Sequence, residues 1–325
     1  MKWLSLILIF TVCCGCATTV KPPSTTQPAL AFIPTSNNSL AAKFAPIITS
    51  ENSFARFNKI GTAKAQLKER DELVYIDPDH ASFYFMQRKF TSVNGKPYTN
   101  LIYRIHFEEV PHSLIPFHLT AGNNGGLIIV ITLNQKLQPV LITTVHSCGC
   151  YLGFIPTSFL AKDAFPENWN WQKNPVYGEE LPAVLKLTAP FSDSYRPLIQ
   201  LRNGTHRVKD IHAIALSQAK KNYSLIQSEL VSMNALKTLP LGENSSTSFF
   251  HEQGLQKGYV KGATKPYELL LMSWWTFDLF VGRDKDYGPH EETGTVFYTS
   301  LKPWRRKASD MWPFGQFLSY WGWEL

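Results

Sequence analysis

A histidine and two cysteines lie close together in the segment His146-Ser147-Cys148-Gly149-Cys150. Imidazole and thiolate groups bind Zn²⁺ and Cu(I), and two neighbouring thiols can also form a disulfide. If the preceding strand continues through this segment, the side chains of His146, Cys148 and Cys150 point to the same face. These three residues are therefore the candidate metal or disulfide site.

Three interpretations of this segment stay open. In an extended strand, residues Cys148 and Cys150 stand about 6.6 Å apart, near the upper limit for a disulfide, unless Gly149 tightens the chain into a strained turn. A Zn or Cu(I) site needs the extended backbone, with His146 as third ligand and a fourth ligand from elsewhere. Two inert buried thiols are the third interpretation. The candidate fourth ligands precede this segment and are His106, His112 and His118.

A second pair of polar residues, His206 and Arg207, follows the turn-forming dipeptide Asn203-Gly204. The sequence predicts a helix soon afterwards, with Asp210 as its N-cap. Because helix N-termini attract negative charge, His206 and Arg207 are a candidate anion contact.

The strands that must position the first site form a hairpin. Residues 126–133 and 138–145 are apolar on both faces and flank the turn segment Asn-Gln-Lys-Leu. A strand that is apolar on both faces is typical of the middle of a sheet. The spacing predicts a central hairpin over 126–145, with His146 opposite Gly125.

The chain as a whole is predicted to be an α+β protein that is rich in β-structure, with a largely antiparallel sheet. About two helices are expected in the C-terminal third. Apolar residues recur every three or four positions over 216–233, ahead of Pro240. The segment 266–281 begins with Pro266 and is followed by Gly282, and its nearly all-apolar composition predicts a buried helix, with a long strand as the alternative.

The first sixteen residues predict export. Lys2 precedes a ten-residue apolar run, which is too short to span a bilayer and fits a secretory signal. Gly15-Cys16 at its end resembles the lipobox of bacterial lipoproteins, although Cys13 and Cys14 occupy the two preceding lipobox positions. The resemblance implies that residues 1–15 are removed and that Cys16 carries the lipid, such as palmitate. The protein would then be anchored to the membrane without spanning it.

The residue after this cysteine is Ala17 rather than Asp. In Gram-negative bacteria that resemblance implies sorting to the outer membrane, with the protein facing the periplasm. The N-terminal lipid anchor is thus the predicted membrane partner.

Composition divides the remaining chain into two parts. Residues 17–50 contain five Pro and ten Ser or Thr but only two charged residues. Such a segment buries little apolar surface, so residues 16–50 are predicted to be the lipidated cysteine and a flexible tether. Residues 51–325 are predicted to form a single globular α+β domain.

The net charge is +7, and the densest basic cluster is Arg305-Arg306-Lys307 beside Trp304. An exported chain rarely meets nucleic acid, so these charges favour attraction to an anionic lipid or cell-wall polymer, or simply a solvated surface. Neither a G-x-S-x-G nor a phosphate-binding G-x-x-x-x-G-K-[ST] motif is present.

The sequence therefore predicts an envelope lipoprotein that acts as a binding or structural module. The alternative is a metal- or thiol-dependent enzyme that uses His146, Cys148 and Cys150. No Lys or Arg lies within this segment to lower a thiol pKa. Whether the protein is an enzyme, and with which cofactor, stays open at this level.

Overall fold

The structure, a computed structural model, describes residues 27–35, 39–69, 71–187 and 195–325. The α-helices in these ranges are α1 (Leu40–Phe44), α2 (Leu216–Asn222), α3 (Pro266–Thr276), α4 (His290–Thr293) and α5 (Phe314–Tyr320). The strands are β1 (Leu30–Pro34), β2 (Ile47–Ser50), β3 (Thr62–Lys68), β4 (Asp71–Asp77), β5 (Ser82–Thr91), β6 (Pro97–His106), β7 (Glu109–Val110), β8 (Gly122–Asn123), β9 (Gly126–Leu133), β10 (Pro139–His146), β11 (Gly153–Pro156), β12 (Asn174–Val176), β13 (Glu179–Leu181), β14 (Tyr195–Leu201), β15 (Val208–Ala215), β16 (Ser224–Ser232), β17 (Leu239–Pro240) and β18 (Ser246–Thr247).

Ten of these strands form one mixed sheet that curls into a half-barrel, in the order β11-β10-β9-β6-β5-β16-β1-β2-β14-β15. Strand β16 pairs in parallel with both β1 and β5, and β14 pairs in parallel with β2. The prediction of a largely antiparallel sheet is therefore wrong. Apolar alternation shows that a strand is half-buried, but it carries no information on the direction of the strand's partner.

The predicted hairpin is present as the antiparallel pair β9 and β10, and every residue in both strands is buried. It lies near one edge of the sheet rather than at its centre, because β10 is second from the end. The all-apolar pattern arises because core side chains cover both faces of the hairpin. Leu133 pairs with Pro139 rather than with residue 138, and an irregularity between Pro139 and Leu141 shifts the register by one more residue, so that His146 pairs with Leu127 instead of Gly125.

The N-terminal part of the described chain belongs to the sheet. Strand β1 lies between β16 and β2, and Ala31, Phe32 and Ile48 are buried. The predicted tether over 16–50 thus contains two core strands from Leu30 onwards, which the average composition of that segment hides. The predicted signal peptide and Cys16 lie outside the described residues.

Two helical segments differ from their predictions. The helix predicted over 216–233 is confirmed only as α2, and the chain then enters strand β16. Helix α3 begins at Pro266 as predicted and ends where Phe277 adopts a left-handed conformation with φ 52°. Much of α3 is exposed rather than buried, with Leu270 and Trp274 both 73% exposed. Within the described ranges, no helix is both long and apolar enough to cross a membrane.

The pairing of the strands brings several loops to one end of the sheet, which we call the site rim. Strands β6 and β10 end at this rim, while β9 and β11 begin there. Strand β5 also begins there, and since β16 and β1 run parallel to β5, β1 enters the sheet from the same side. The segment after β10 and the loop between β6 and β9 therefore share one end of the molecule.

Candidate dithiol site

The two cysteines lie in a tight turn at the end of β10. The His146 backbone N–H donates to the Cys150 carbonyl at 2.9 Å, and the Gly149 N–H donates to the His146 carbonyl at 2.7 Å. The strand therefore stops at His146 instead of continuing through the segment. The turn brings the thiols together, and the Cys150 N–H donates to the Cys148 Sγ at 3.4 Å. Both thiols are free.

Gly149 makes this turn possible. Its φ is +93°, a backbone conformation that is strained for any residue with a Cβ. A Cβ at this position would lie 2.0 Å from the carbonyl oxygen of Tyr298. The turn that holds the two cysteines thus depends on a residue without a side chain.

Two consecutive buried residues, Asp284 and Lys285, hold the turn through hydrogen bonds. The Lys285 N–H donates to the Ser147 carbonyl at 2.8 Å, and its Nζ donates to the Cys148 carbonyl. The Ser147 hydroxyl donates to the Asp284 carboxylate. The Lys285 Nζ also lies 4.2 Å from the centre of the Tyr298 ring, a cation–π arrangement. The dithiol turn is therefore held at Ser147 and Cys148.

A second buried lysine supplies positive charge. Lys265, the residue before α3, forms an ion pair of 2.9 Å with Asp284, and their side chains are 3% and 0% exposed. Burial alone would lower the pKa of Lys265, but the charges of Asp284 and Cys148 raise it well above its usual value. Lys265 is therefore a fixed cation beside the thiols.

The two thiols differ in acidity. Burial opposes the ionisation of Cys148, yet the hydrogen bond from Cys150 and the charge of Lys265 bring its pKa below the usual value. The same hydrogen bond, together with burial, raises the pKa of Cys150. Of the two thiols, Cys148 is therefore the one that ionises first. Cys148 is only 1% exposed, whereas Cys150 is half-buried.

A carboxyl group stands next to the thiol. The Glu268 Oε1 lies 3.8 Å from the Cys150 Sγ, and burial raises the pKa of Glu268. Its Oε2 has no hydrogen-bond partner among the described residues and lies against Gly282. Glu268 is thus placed to exchange a proton with Cys150.

These groups line a cavity of about 200 Å³. Apart from the two thiols and the Glu268 carboxyl, its wall consists mostly of apolar and aromatic side chains. The lining residues are Leu119, Cys148, Gly149, Cys150, Tyr151, Tyr177, Glu268, Met272, Gly282, Tyr298, Thr299 and Leu301.

His146 does not complete a three-ligand site. Its Nε2 lies 3.1 Å from the His206 carbonyl, its ring packs against Tyr151, and burial lowers its pKa to about 4. In the part of the chain that the structure describes, no group of three or more His, Cys, Asp or Glu side chains could hold a metal ion. Each candidate fourth ligand has a different partner: His106 accepts from Arg104, His118 contacts the Pro111 carbonyl and His112 packs on Tyr267.

The residues of the predicted anion contact precede strand β15 rather than a helix. The His206 ring stacks on Phe107 at 3.8 Å, and burial lowers its pKa to about 3, so it is neutral. Arg207 donates to the Tyr177 carbonyl at 2.8 Å and pairs with Glu179 at 3.6 Å. Arg207 therefore supports the aromatic wall of the cavity from outside.

Sequence reasoning finds the thiols but misses the residues that tune them. Lys265 and Glu268 lie at the start of α3, and Asp284 and Lys285 follow it. The available signal is that charged residues flank a strongly apolar segment. Nothing in their spacing indicates that they meet a turn more than 110 residues earlier in the chain.

No protein-family model, curated protein or solved structure matches this chain.

Proposed function

We propose that this chain is a lipid-anchored protein of the bacterial envelope whose folded domain carries out thiol–disulfide exchange through Cys148 and Cys150. The observation that supports this proposal is that both thiols lie in one constrained turn, in a cavity wall, where the charge of the buried Lys265 favours the ionised form of Cys148. This arrangement favours the enzymatic alternative over a purely binding or structural module. The oxidising envelope is also where a dithiol can cycle.

Cys150 is the less buried of the two cysteines, so its sulfur is the point of attack on the oxidised site. A substrate thiolate attacks the Cys150 Sγ, the bond between Cys150 and Cys148 breaks, and Cys148 leaves as a thiolate. A second substrate thiolate then attacks the substrate sulfur of this mixed disulfide and releases Cys150, which takes a proton from Glu268. Two substrate thiols become one disulfide, and their two electrons reduce the protein disulfide to one thiol and one thiolate.

The buried cation sets the preferred direction. Lys265 stabilises the Cys148 thiolate, and a thiol of low pKa is a good leaving group. Stabilising the reduced form makes the corresponding disulfide a stronger oxidant. The site is therefore suited to oxidising substrate thiols, and exchange with a more oxidising disulfide restores it.

The cavity limits what can reach the sulfurs. About 200 Å³ admits a small molecule or one projecting side chain, below the range typical of drug-sized ligands. Its aromatic and aliphatic wall favours a thiol on an apolar or amphipathic group. Large folded substrates would have to present a thiol on an extended segment.

The redox test uses the purified mature protein in buffers of increasing small-molecule disulfide-to-thiol ratio, followed by alkylation and mass spectrometry. We expect Cys148 and Cys150 to disappear together and to be recovered as one linked peptide. In Cys148→Ser, the same buffers should place a mixed disulfide on Cys150. If both thiols stay free in oxidising buffer, although they react once the chain is unfolded, the proposal is contradicted.

The anchor is tested separately through Cys16→Ser. Without the sulfur that carries the lipid, the chain should leave the membrane fraction or keep its signal peptide. If Cys16→Ser stays in the membrane fraction and has the same mature mass as the wild-type protein, the lipid anchor is contradicted. The dithiol proposal is unaffected by that result.

A further inference from the structure

An exposed apolar face surrounds helix α3. It consists of residues 114–117, residues 270–279 and Trp304, which contribute ten of the twenty large apolar side chains exposed in the described ranges. Ile115 is 94% exposed, Phe277 79% and Trp304 76%. Together these side chains present on the order of 1,000 Å² of apolar surface, against a few hundred Å² for the largest patch on a typical soluble protein.

Direct contacts join the three segments into one surface. The Tyr267 ring on α3 packs against Phe117 at 5.2 Å. At the other end of the helix, the Arg306 guanidinium donates to the Thr276 carbonyl, which places the segment with Trp304 beside Phe277. The face therefore runs along α3, from the tip of the loop between β6 and β9 to the basic cluster.

Exposed charge on and around this face is of one sign. Between residues 266 and 281 the acidic residues are Glu268 and Asp278, whose side chains are 3% and 8% exposed. Segments 111–119 and 299–309 contain no acidic residue. Lys302, Arg305 and Lys307 are exposed beside Trp304. A partner for this face must therefore be apolar at its centre and negative at its edge.

We infer that this face docks on the surface of an anionic lipid bilayer, with its aromatic and aliphatic side chains inserted at the headgroup level. Tryptophan favours that level, phenylalanine and leucine form the buried face of helices that lie at it, and basic residues beside them attract anionic headgroups. The inference rests on the lipid anchor of the proposed function but not on its dithiol chemistry.

The position of the anchor supports this orientation. Thirteen residues separate Cys16 from Leu30, and even fully extended they would reach roughly 45 Å. Because β1 enters the sheet at the site rim, the anchored chain approaches the fold on the side of residues 114–117. A single acyl chain binds membranes weakly and is usually supported by a second signal, which the apolar face would provide.

Docking would also place the dithiol cavity against the membrane. Met272 on α3 lines the cavity, and so does Leu301, next to Lys302. A substrate thiol would then reach Cys150 from the lipid–water interface.

The test uses the mature protein on vesicles of phosphatidylcholine and phosphatidylglycerol, with and without chain-brominated phosphatidylcholine. We expect brominated lipid to quench part of the tryptophan fluorescence, and Trp274→Phe and Trp304→Phe each to reduce the quenched fraction. Trp171→Phe is the matched control, because Trp171 is 53% exposed but lies outside the face. The mass of the N-terminal peptide reports the lipid on Cys16 independently.

The outcomes separate the two proposals. A lipidated chain that sediments with vesicles, but whose Trp274 and Trp304 are not quenched, overturns the docking and leaves the anchor. If the chain carries no lipid but Trp274 and Trp304 are still quenched, the docking is supported and the anchor is contradicted. If Trp274 instead cross-links to a second protein in the absence of quenching, the face is a protein interface and the inference is wrong.

Discussion

At the scale of single residues, the reactivity proposed for the dithiol depends on Lys265. Its ammonium group is buried, paired with Asp284 and close enough to lower the pKa of Cys148. The fold therefore stabilises the thiolate relative to the unfolded chain. This stabilisation of the reduced protein is present above the unfolded thiol pKa and is lost as the pH falls through the lower, folded pKa.

Lys265→Met should move the pH profile of Cys148 alkylation to higher pH and slow alkylation at neutral pH several-fold, because the cation that favours the thiolate is gone. The rate is measured with iodoacetamide over a pH series on the reduced protein. Lys173→Met is the control, since Lys173 forms an ion pair with Glu180 at the surface. If the pH profile of Cys148 alkylation is the same in Lys265→Met as in the wild-type protein, Lys265 does not favour the Cys148 thiolate.

The residues of the site could be predicted in part. Cys148, Cys150 and the special role of Gly149 follow from the sequence, because they are adjacent in the chain. Lys265 and Asp284 could not be predicted, since burial of a lysine and an aspartate becomes tolerable only when the fold pairs them. His146 was expected among the ligands, but the turn directs its ring to His206.

At the scale of secondary-structure elements, the turn after β10 depends on the close approach of Tyr298 to Gly149. Gly178 has a similar left-handed conformation, with φ +86°, but a Cβ there would meet nothing within 4 Å. The two glycines thus differ in the space around them and hardly in backbone conformation.

Gly149→Ala should destabilise the protein by about 2–4 kcal/mol and separate the thiols, because the methyl group must displace the Tyr298 carbonyl. Gly178→Ala should cost about 1 kcal/mol, from conformational strain alone. Urea unfolding and the yield of the Cys148–Cys150 disulfide measure both effects. Equal losses in the two variants would show that the contact with Tyr298 is unimportant.

The element that the sequence could not resolve is β16. Apolar residues over 216–233 fit a helical spacing, and α2 does form at the start of this segment. Strand β16 forms because β1 and β5 both offer free backbone partners to it. When a local apolar pattern fits both a helix and a strand, long-range strand pairing decides which of them forms. A single sequence does not display that pairing.

At the scale of the whole molecule, buried histidines make the fold sensitive to acid. Burial lowers the pKa of His146 to about 4 and that of His206 to about 3. In the unfolded chain an imidazole titrates near 6.5, so the unfolded state binds more protons below that pH. Stability is therefore complete above about pH 6.5 and decreases as the pH falls towards the folded pKa values.

Between pH 7 and pH 5, the free energy of unfolding should fall by about 2 kcal/mol for each of these two histidines. Urea unfolding at both pH values measures the loss. His146→Gln should reduce the pH dependence, because it removes one of the two imidazoles whose pKa burial lowers. A free energy of unfolding that is the same at pH 7 and pH 5 would contradict the burial of neutral imidazoles.

The whole fold was predictable only as rich in β-structure. The hairpin of β9 and β10 is visible because its strands are adjacent in the chain and strongly apolar. The mixed sheet is not visible in the sequence, since its parallel pairs join strands such as β1 and β16 that are far apart in the chain. Averaging over 17–50 also concealed β1 and β2 within a segment rich in Pro, Ser and Thr.

The place of β1 between β2 and β16 has a consequence for biosynthesis. If the chain is exported as proposed, β1 emerges long before Ser224–Ser232, the strand that forms its parallel neighbour. Such long-range pairing folds slowly and leaves strand edges open to wrong partners. Lipid attachment at Cys16 would take place during this interval, on a sheet that is still unfinished. A chain truncated before Ser224 would retain open strand edges, and proteases should degrade it while the complete protein persists.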